Sequence, residues 1–145
     1  MKRVLASLAL LLVVSVALVA CSASFTTANI SKAVLAKDVS GDGFEPVDVT
    51  STFPIDQPII HLVVSLKNVP PDTKVKAVWT AIDVGDAAPA NTIIDESELT
   101  MDGSGNLDFT LSRPSSGVWP EGRYKVDIYL DGKLDRTLEY EVAQS

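Results

Sequence analysis

The sequence of 145 residues contains one cysteine, Cys21, and one histidine, His61. A single cysteine cannot form a disulfide within the chain, so the folded part must depend on its apolar core. A lone histidine lacks the second histidine or free thiol that a metal site needs. No serine lies in a Gly-x-Ser-x-Gly elbow. We therefore expect no catalytic residues, no metal centre on His61 and no enzymatic activity.

Basic residues are also scarce. Residues 1–20 hold two of the twelve Lys and Arg residues and none of the nineteen Asp and Glu residues, which leaves a formal net charge of −9 on the remainder. Nucleic-acid affinity comes from basic side chains that neutralise phosphates. This balance argues against a nucleic-acid partner, and against a polybasic segment that would bind anionic lipid headgroups.

The first 21 residues carry the most specific pattern in the chain. Lys2 and Arg3 precede an uncharged run, residues 4–20, that ends in small and apolar residues. Such a segment is typical of a secretory signal. Its 17 residues also reach the lower limit for a membrane-spanning helix, so an uncleaved anchor is the alternative.

The segment Leu18-Val19-Ala20-Cys21 resembles the lipobox of bacterial lipoproteins. That resemblance implies cleavage after Ala20, a diacylglyceryl group on the Cys21 sulfur, and Cys21 as the mature N-terminus. Two acyl chains anchor a protein stably without a spanning helix. Ser22 follows the cysteine, and similar lipoproteins without Asp at this place tend to reach the outer membrane in diderm bacteria. We expect an extracytoplasmic protein on the cell membrane or the outer membrane.

The chain divides into three predicted parts: a removed signal peptide (1–20), the lipidated cysteine with a short tether (21–29), and one domain (30–145). The tether residues are small and polar. Eight extended residues reach at most about 3.3–3.6 Å each, which keeps the domain within roughly 30 Å of the bilayer.

The domain predicts an all-β fold. Alternating and β-branched residues, separated by Gly, Pro and Asp clusters, indicate eight strands, and no 12-residue stretch after Cys21 has a sustained helical period. The firmest prediction is a C-terminal hairpin around Asp131-Gly132, which suits a type I′ turn. The predicted strands are Ile30–Lys37, Val47–Phe53, Ile59–Leu66, Lys74–Val84, Thr92–Met101, Leu107–Ser112, Arg123–Leu130 and Lys133–Val142.

Two aromatic features suggest a sandwich. Trp79 lies in the middle of a central strand, and Trp119-Pro120-Glu121-Gly122-Arg123-Tyr124 leads into the penultimate one. This order resembles immunoglobulin-like and fibronectin-type-III-like domains, in which Tyr124 would be the tyrosine corner. The resemblance implies an immunoglobulin-like antiparallel β-sandwich of about seven or eight strands. The cysteine pair of antibody domains is absent.

Two acidic loops have alternating oxygen ligands. Asp38, Ser40, Asp42 and Glu45 resemble the start of a calcium-binding EF-hand loop, and the segment 102–108 repeats the pattern less well. Neither loop has the glutamate that the EF-hand requires at its twelfth position. The same residue types form ordinary tight turns. We therefore expect no cofactor, with calcium at the first loop as the weak alternative.

The loop from Ser112 to Glu121 is the predicted contact surface, because sandwiches present partners on their end loops. It carries Arg113 and Trp119, of which Trp119 is expected to be the exposed aromatic residue. The acidic run Asp95-Glu96-Ser97-Glu98 favours a solvated strand or a guarded edge over a pair of catalytic carboxylates.

These observations favour a membrane-anchored lipoprotein that acts as a non-catalytic binding module for an envelope protein or a cell-wall ligand. The alternative is a structural or assembly accessory of an envelope complex. A calcium-binding or hydrolytic envelope protein is the weaker alternative. An exposed Trp119 beside a concave surface would favour the first function, and a long bare edge strand would favour the second.

Overall fold

The computed structural model describes residues 27–145; the predicted leader and Cys21 lie outside the described residues. The described part contains no helix long and apolar enough to cross a membrane. One short 3-10 helix, Gly85–Ala87, accompanies nine strands. The strands are β1 Asn29–Ser40, β2 Glu45–Val49, β3 Thr52–Pro54, β4 Ile59–Lys67, β5 Thr73–Asp83, β6 Thr92–Met101, β7 Gly105–Ser112, β8 Gly122–Leu130 and β9 Lys133–Ala143.

The strands form two sheets. One sheet has the order β2-β1-β4-β7, and the other has the order β3-β9-β8-β5-β6. All neighbours are antiparallel except β3, which runs parallel to β9. The predicted all-β, immunoglobulin-like sandwich is therefore confirmed.

The two ends of the sandwich differ in what they carry. The short connections 68–72 and 102–104 join the sheets at the end where the described strands begin, beside Asn29. We call this the tether end. The connections 55–58, 84–91 and 113–121 lie at the opposite end, which we call the far end.

The core lies between the sheets because each central strand turns alternate apolar side chains inward. In β4 these are Ile60, Leu62, Val64 and Leu66, and all four are buried. In β5 the row contains Trp79, which is 0% exposed. Its ring lies edge-on to the ring of Tyr140, with centroids 6.1 Å apart.

The predicted strand Val47–Phe53 is wrong as a single strand. It divides into β2 and β3, which belong to different sheets, and this raises the number of strands to nine. Asp48 has a positive φ of 55°, and the Thr50 hydroxyl bonds both the amide and the carbonyl of Thr52. This local turn interrupts the extended backbone, and the chain then crosses to pair with β9.

A hairpin covers the outer face of the smaller sheet. Beyond Ala36, β1 leaves β4 and pairs only with β2. Asn106 of β7 donates a hydrogen bond to the Gly43 carbonyl at the hairpin tip, at 2.8 Å. Since β4 lies between β1 and β7, the tip of the hairpin formed by residues 37–49 must reach across β4. We call them the hairpin flap. Beneath it, Ala36 and Val63 are buried although they point away from the core.

The C-terminal hairpin is confirmed. Asp131 and Gly132 have φ values of 48° and 82°, as a type I′ turn requires. Arg136 interrupts the inward apolar row of β9, and a bulge lies beside it, where the register shifts between Ile128 and Tyr129. Its guanidinium donates to the Ile30 carbonyl at 2.7 Å. Because Ile30 belongs to the other sheet, Arg136 joins the two sheets.

The predicted tyrosine corner is also confirmed. The Tyr124 hydroxyl donates to the carbonyl of Pro120, four residues upstream. Its ring stacks on that of Tyr140, with centroids 5.2 Å apart. This arrangement fixes the loop 113–121 against the start of β8.

Gly122→Ala should destabilise the domain at the same corner. Gly122 has a φ of 146°, and an added Cβ would lie 2.1 Å from the backbone oxygen of Asp83. Backbone atoms cannot move aside cheaply, so we expect a loss of about 2 kcal/mol in the free energy of unfolding. Chemical denaturation measures it. The control is Gly43→Ala, whose Cβ meets nothing closer than 3.8 Å and should change stability by less than about 0.5 kcal/mol. Equal denaturation midpoints for the two variants would contradict this close packing of Gly122 against Asp83.

Candidate binding surface

A small apolar pocket opens at the far end of the sandwich. Its volume is about 140 Å³, comparable with one large apolar side chain. The end of β5, the loop after it and the start of β6 build one side, and the loop 113–121 with the start of β8 builds the other. The lining residues are Ala81, Val84, Ala88, Thr92, Ile94, Pro114, Trp119, Pro120 and Tyr124.

Trp119 forms an inner wall of this pocket, and the expectation that it is exposed is wrong. Only 2% of its surface reaches solvent. Its indole N–H donates to the Gln57 carbonyl at 2.7 Å, and its backbone N–H donates to the Ile55 carbonyl at 2.8 Å. The sequence pattern could not show this, because the acceptors lie more than 60 residues earlier. The loop is therefore folded down over the core.

Arg113 is exposed, as a contact residue should be, but it does not line the pocket. Its guanidinium donates to the Asp56 carbonyl at 2.9 Å, and its backbone N–H donates to the Pro58 carbonyl at 2.9 Å. Arg113 and Trp119 thus bind the same turn, residues 55–58, from two sides. Both residues hold the loop in place, and neither offers a free polar group to the pocket.

The polar atoms around the pocket already have partners within the chain. The Thr92 hydroxyl donates to Pro89, and the Tyr124 hydroxyl donates to Pro120. Burial raises the pKa of Tyr124 to about 12, so its phenol stays protonated and remains a donor. The pocket therefore presents apolar contact surface and suits an apolar group.

His61 has a partner that sequence reasoning missed. Its Nδ1 lies 2.9 Å from the Asp108 carboxylate, and both side chains are about nine-tenths buried under the hairpin flap. Asp108 pairs across from Val63 in the sheet, so the two side chains are diagonal neighbours. Only the register of β4 against β7 reveals this pair. No hydroxyl of the described residues bonds His61, so the pair has the form of a structural contact.

The calcium candidates lie on the hairpin flap and at its root. Asp38 accepts a hydrogen bond from the backbone of Val39, and Ser40, Asp42 and Glu45 surround the hairpin tip. Within residues 27–145, no group of three or more His, Cys, Asp or Glu side chains converges. Calcium binding at this loop, the weak alternative to the absence of a cofactor, stays untested.

The second acidic loop is occupied by its own contacts. The Ser104 hydroxyl accepts a hydrogen bond from the Asn68 backbone N–H, and the Asn106 side-chain oxygen accepts one from the Ser65 hydroxyl. The Asp108 carboxylate contacts His61. These oxygens join β7 to its neighbours. The segment 102–108, a short connection followed by the start of β7, is therefore held by contacts within the sheet.

The acidic run lies on β6, which is the last strand of its sheet. Glu96 lies 3.4 Å from Lys76, and Glu98 lies 3.8 Å from Lys74, both at the surface. The run therefore occupies an open edge, as expected. Thr92 and Ile94, which precede the acidic run in the same strand, line the pocket. The apolar start of this strand in the sequence is only a weak sign of that position.

No protein-family model matches the sequence, and a search of curated proteins finds no match. Among solved structures, the alkylpurine DNA glycosylase AlkC of Pseudomonas fluorescens has a TM-score of 0.51 and 12% identity; the match covers 83% of this chain but 31% of the glycosylase. An immunoglobulin-like protein from Pseudomonas aeruginosa has a TM-score of 0.55 and 12% identity over 80% of this chain and 96% of that one. At such identities the likeness shows the fold alone, which is an immunoglobulin-like β-sandwich.

Proposed function

We propose that this chain is a membrane-anchored, extracytoplasmic lipoprotein that acts as a non-catalytic binding module. The lipobox pattern supports the anchor, which would place the lipid on Cys21, eight residues before β1 begins at Asn29. The partner would be another envelope protein or a cell-wall ligand.

The observation that carries the proposal is the position of the pocket. The chain enters the sandwich at the tether end, whereas the pocket beside Trp119 opens at the far end. A domain held by its N-terminus would therefore present the pocket away from the bilayer. A strand of 9–11 residues spans about 30–35 Å, so the pocket would stand about that far beyond the tether.

The chemistry of the pocket supports binding without catalysis. Its polar atoms are held by internal hydrogen bonds, and its walls are aliphatic, proline and aromatic carbon. Such a surface stabilises a complex by removing apolar area from water, at about 25 cal/mol per Å². Ile93 and Val118, which are chain neighbours of lining residues, are exposed apolar side chains.

A role as a structural or assembly accessory is the second candidate. The observation that favours it is the open edge of β6, a ten-residue strand that is hydrogen-bonded on one side only. An uncovered edge can accept a strand from another protein. A binding module would form a reversible complex with its partner, whereas an assembly accessory would stay in a permanent one.

Replacing Cys21 tests the anchor. In the full chain, Cys21→Ser should leave the leader uncleaved and remove the acyl mass from the N-terminus, because only the thiol accepts the lipid. Mass spectrometry of the membrane fraction measures both changes. The control Ser22→Ala keeps the lipobox and should keep the lipid. A Cys21→Ser variant that keeps the acylated mature mass of the unaltered chain would contradict lipid attachment at Cys21.

Filling the pocket tests the binding role. Ala88 lines the pocket and Ala90 is exposed in the same loop. Ala88→Phe should occupy the cavity and reduce proximity labelling of envelope neighbours by about tenfold, while Ala90→Phe should leave the labelling unchanged. Unchanged labelling in a folded Ala88→Phe variant would rule out the pocket as the contact site.

A further inference from the structure

Strand β6 leaves one whole edge of the larger sheet open. Among the described residues it pairs only with β5, so alternate N–H and C=O groups along Thr92–Met101 face solvent. Ten residues is a long edge, since natural proteins usually keep edge strands short or cover them. The other end strand of this sheet, β3, has only three residues.

The open edge and the apolar pocket are continuous. Thr92 and Ile94, near the start of β6, line the pocket. Ile93, between them, is 60% exposed. A strand added along β6 would therefore pass the mouth of the pocket. In strand addition, main-chain hydrogen bonds give affinity and side-chain pockets give specificity.

The charge of β6 indicates what kind of strand fits. It carries Asp95, Glu96 and Glu98 but no Lys or Arg. Lys76 and Lys74 approach the two glutamates from β5, but these contacts are exposed and weak. Asp95 makes no ion pair with any described residue. The edge therefore keeps an excess of negative charge.

The same charges disfavour a second copy of this chain as the occupant. Pairing β6 with β6 would bring six carboxylates together along one ladder. Like charges placed opposite one another destabilise a sheet, and acidic side chains are a usual guard against self-association at edges. A basic strand would turn this repulsion into attraction.

We propose that β6 binds an extended, basic segment of another protein by strand addition, with one large apolar side chain of that segment in the pocket beside Trp119. This inference rests on the proposed binding function, names its partner chemistry, and assigns the open edge of β6 to that function instead of to the accessory role. Glu96 and Glu98 lie on the outer face, opposite Val78 and Lys76. The added strand should therefore carry Lys or Arg at alternate positions on that face.

A displayed library of random ten-residue peptides, selected on the intact lipid-anchored chain in detergent, tests the proposal. The selected peptides should share basic residues two positions apart and a large apolar residue at a fixed spacing from them. Hydrogen exchange with a selected synthetic peptide bound should slow at the amides of β6. Methylating alternate backbone nitrogens of the peptide should abolish binding, because the ladder needs those donors.

Charge reversal supplies the matched control. The double variant Glu96→Lys and Glu98→Lys should weaken binding of the selected peptide by about tenfold, and more at low salt. The double variant Glu45→Lys and Glu139→Lys has the same net charge but lies away from β6, and should stay within about twofold of the unaltered chain. Equal losses for the two variants would reduce the effect to net charge and overturn the proposal.

Other outcomes overturn it as clearly. Selection of no peptide, or of peptides without the basic pattern, would remove the proposed partner chemistry. Binding that survives backbone methylation would assign the pocket alone as the site. A dimer in sedimentation experiments with protected β6 amides would make a second copy the occupant. The double variant Glu96→Lys and Glu98→Lys could keep its proximity labelling while Ala88→Phe loses it. That result would support the binding function and contradict strand addition.

Discussion

The fold depends on apolar contact between two sheets that no disulfide joins. Among the described residues there is no cysteine at all, so the sheets are held by the side chains between them. Trp79 occupies the centre of this layer, and Phe53 and Tyr140 pack edge to face beside it. Aromatic side chains bury the largest areas of any residue. The hydrogen bond from Arg136 to Ile30 adds a polar link where the apolar row of β9 is interrupted.

The same need to cover apolar surface decides where partners can bind. The outer face of the smaller sheet contains Val63, and the hairpin flap covers it together with the pair His61–Asp108. The outer face of the larger sheet carries matched charges, such as Lys125 with Asp127 at 3.1 Å. An apolar pocket opens at the far end, and an unpaired backbone edge lies along β6. These two features adjoin, which is why they form one candidate surface.

Local patterns predicted the local structure. The turn at Asp131-Gly132 and the corner at Tyr124 need only neighbouring residues, and both are present as expected. Three features depend on distant parts of the chain and were missed. Trp119 is buried because the carbonyl of Gln57 accepts its indole N–H, His61 meets Asp108 only through the β4–β7 register, and β3 leaves its predicted strand to pair with β9. Tertiary contacts decide all three.

We infer that the anchored sandwich binds a protein partner at the start of β6. Site-specific photo-crosslinking of the full chain in intact cells tests it most directly. Ile93 and Val49 are comparably exposed, at 60% and 56%, but lie on β6 and on the hairpin flap respectively. We expect a protein adduct from a crosslinker at Ile93 and none from one at Val49. No adduct at Ile93, or equal adducts at both positions, would contradict it.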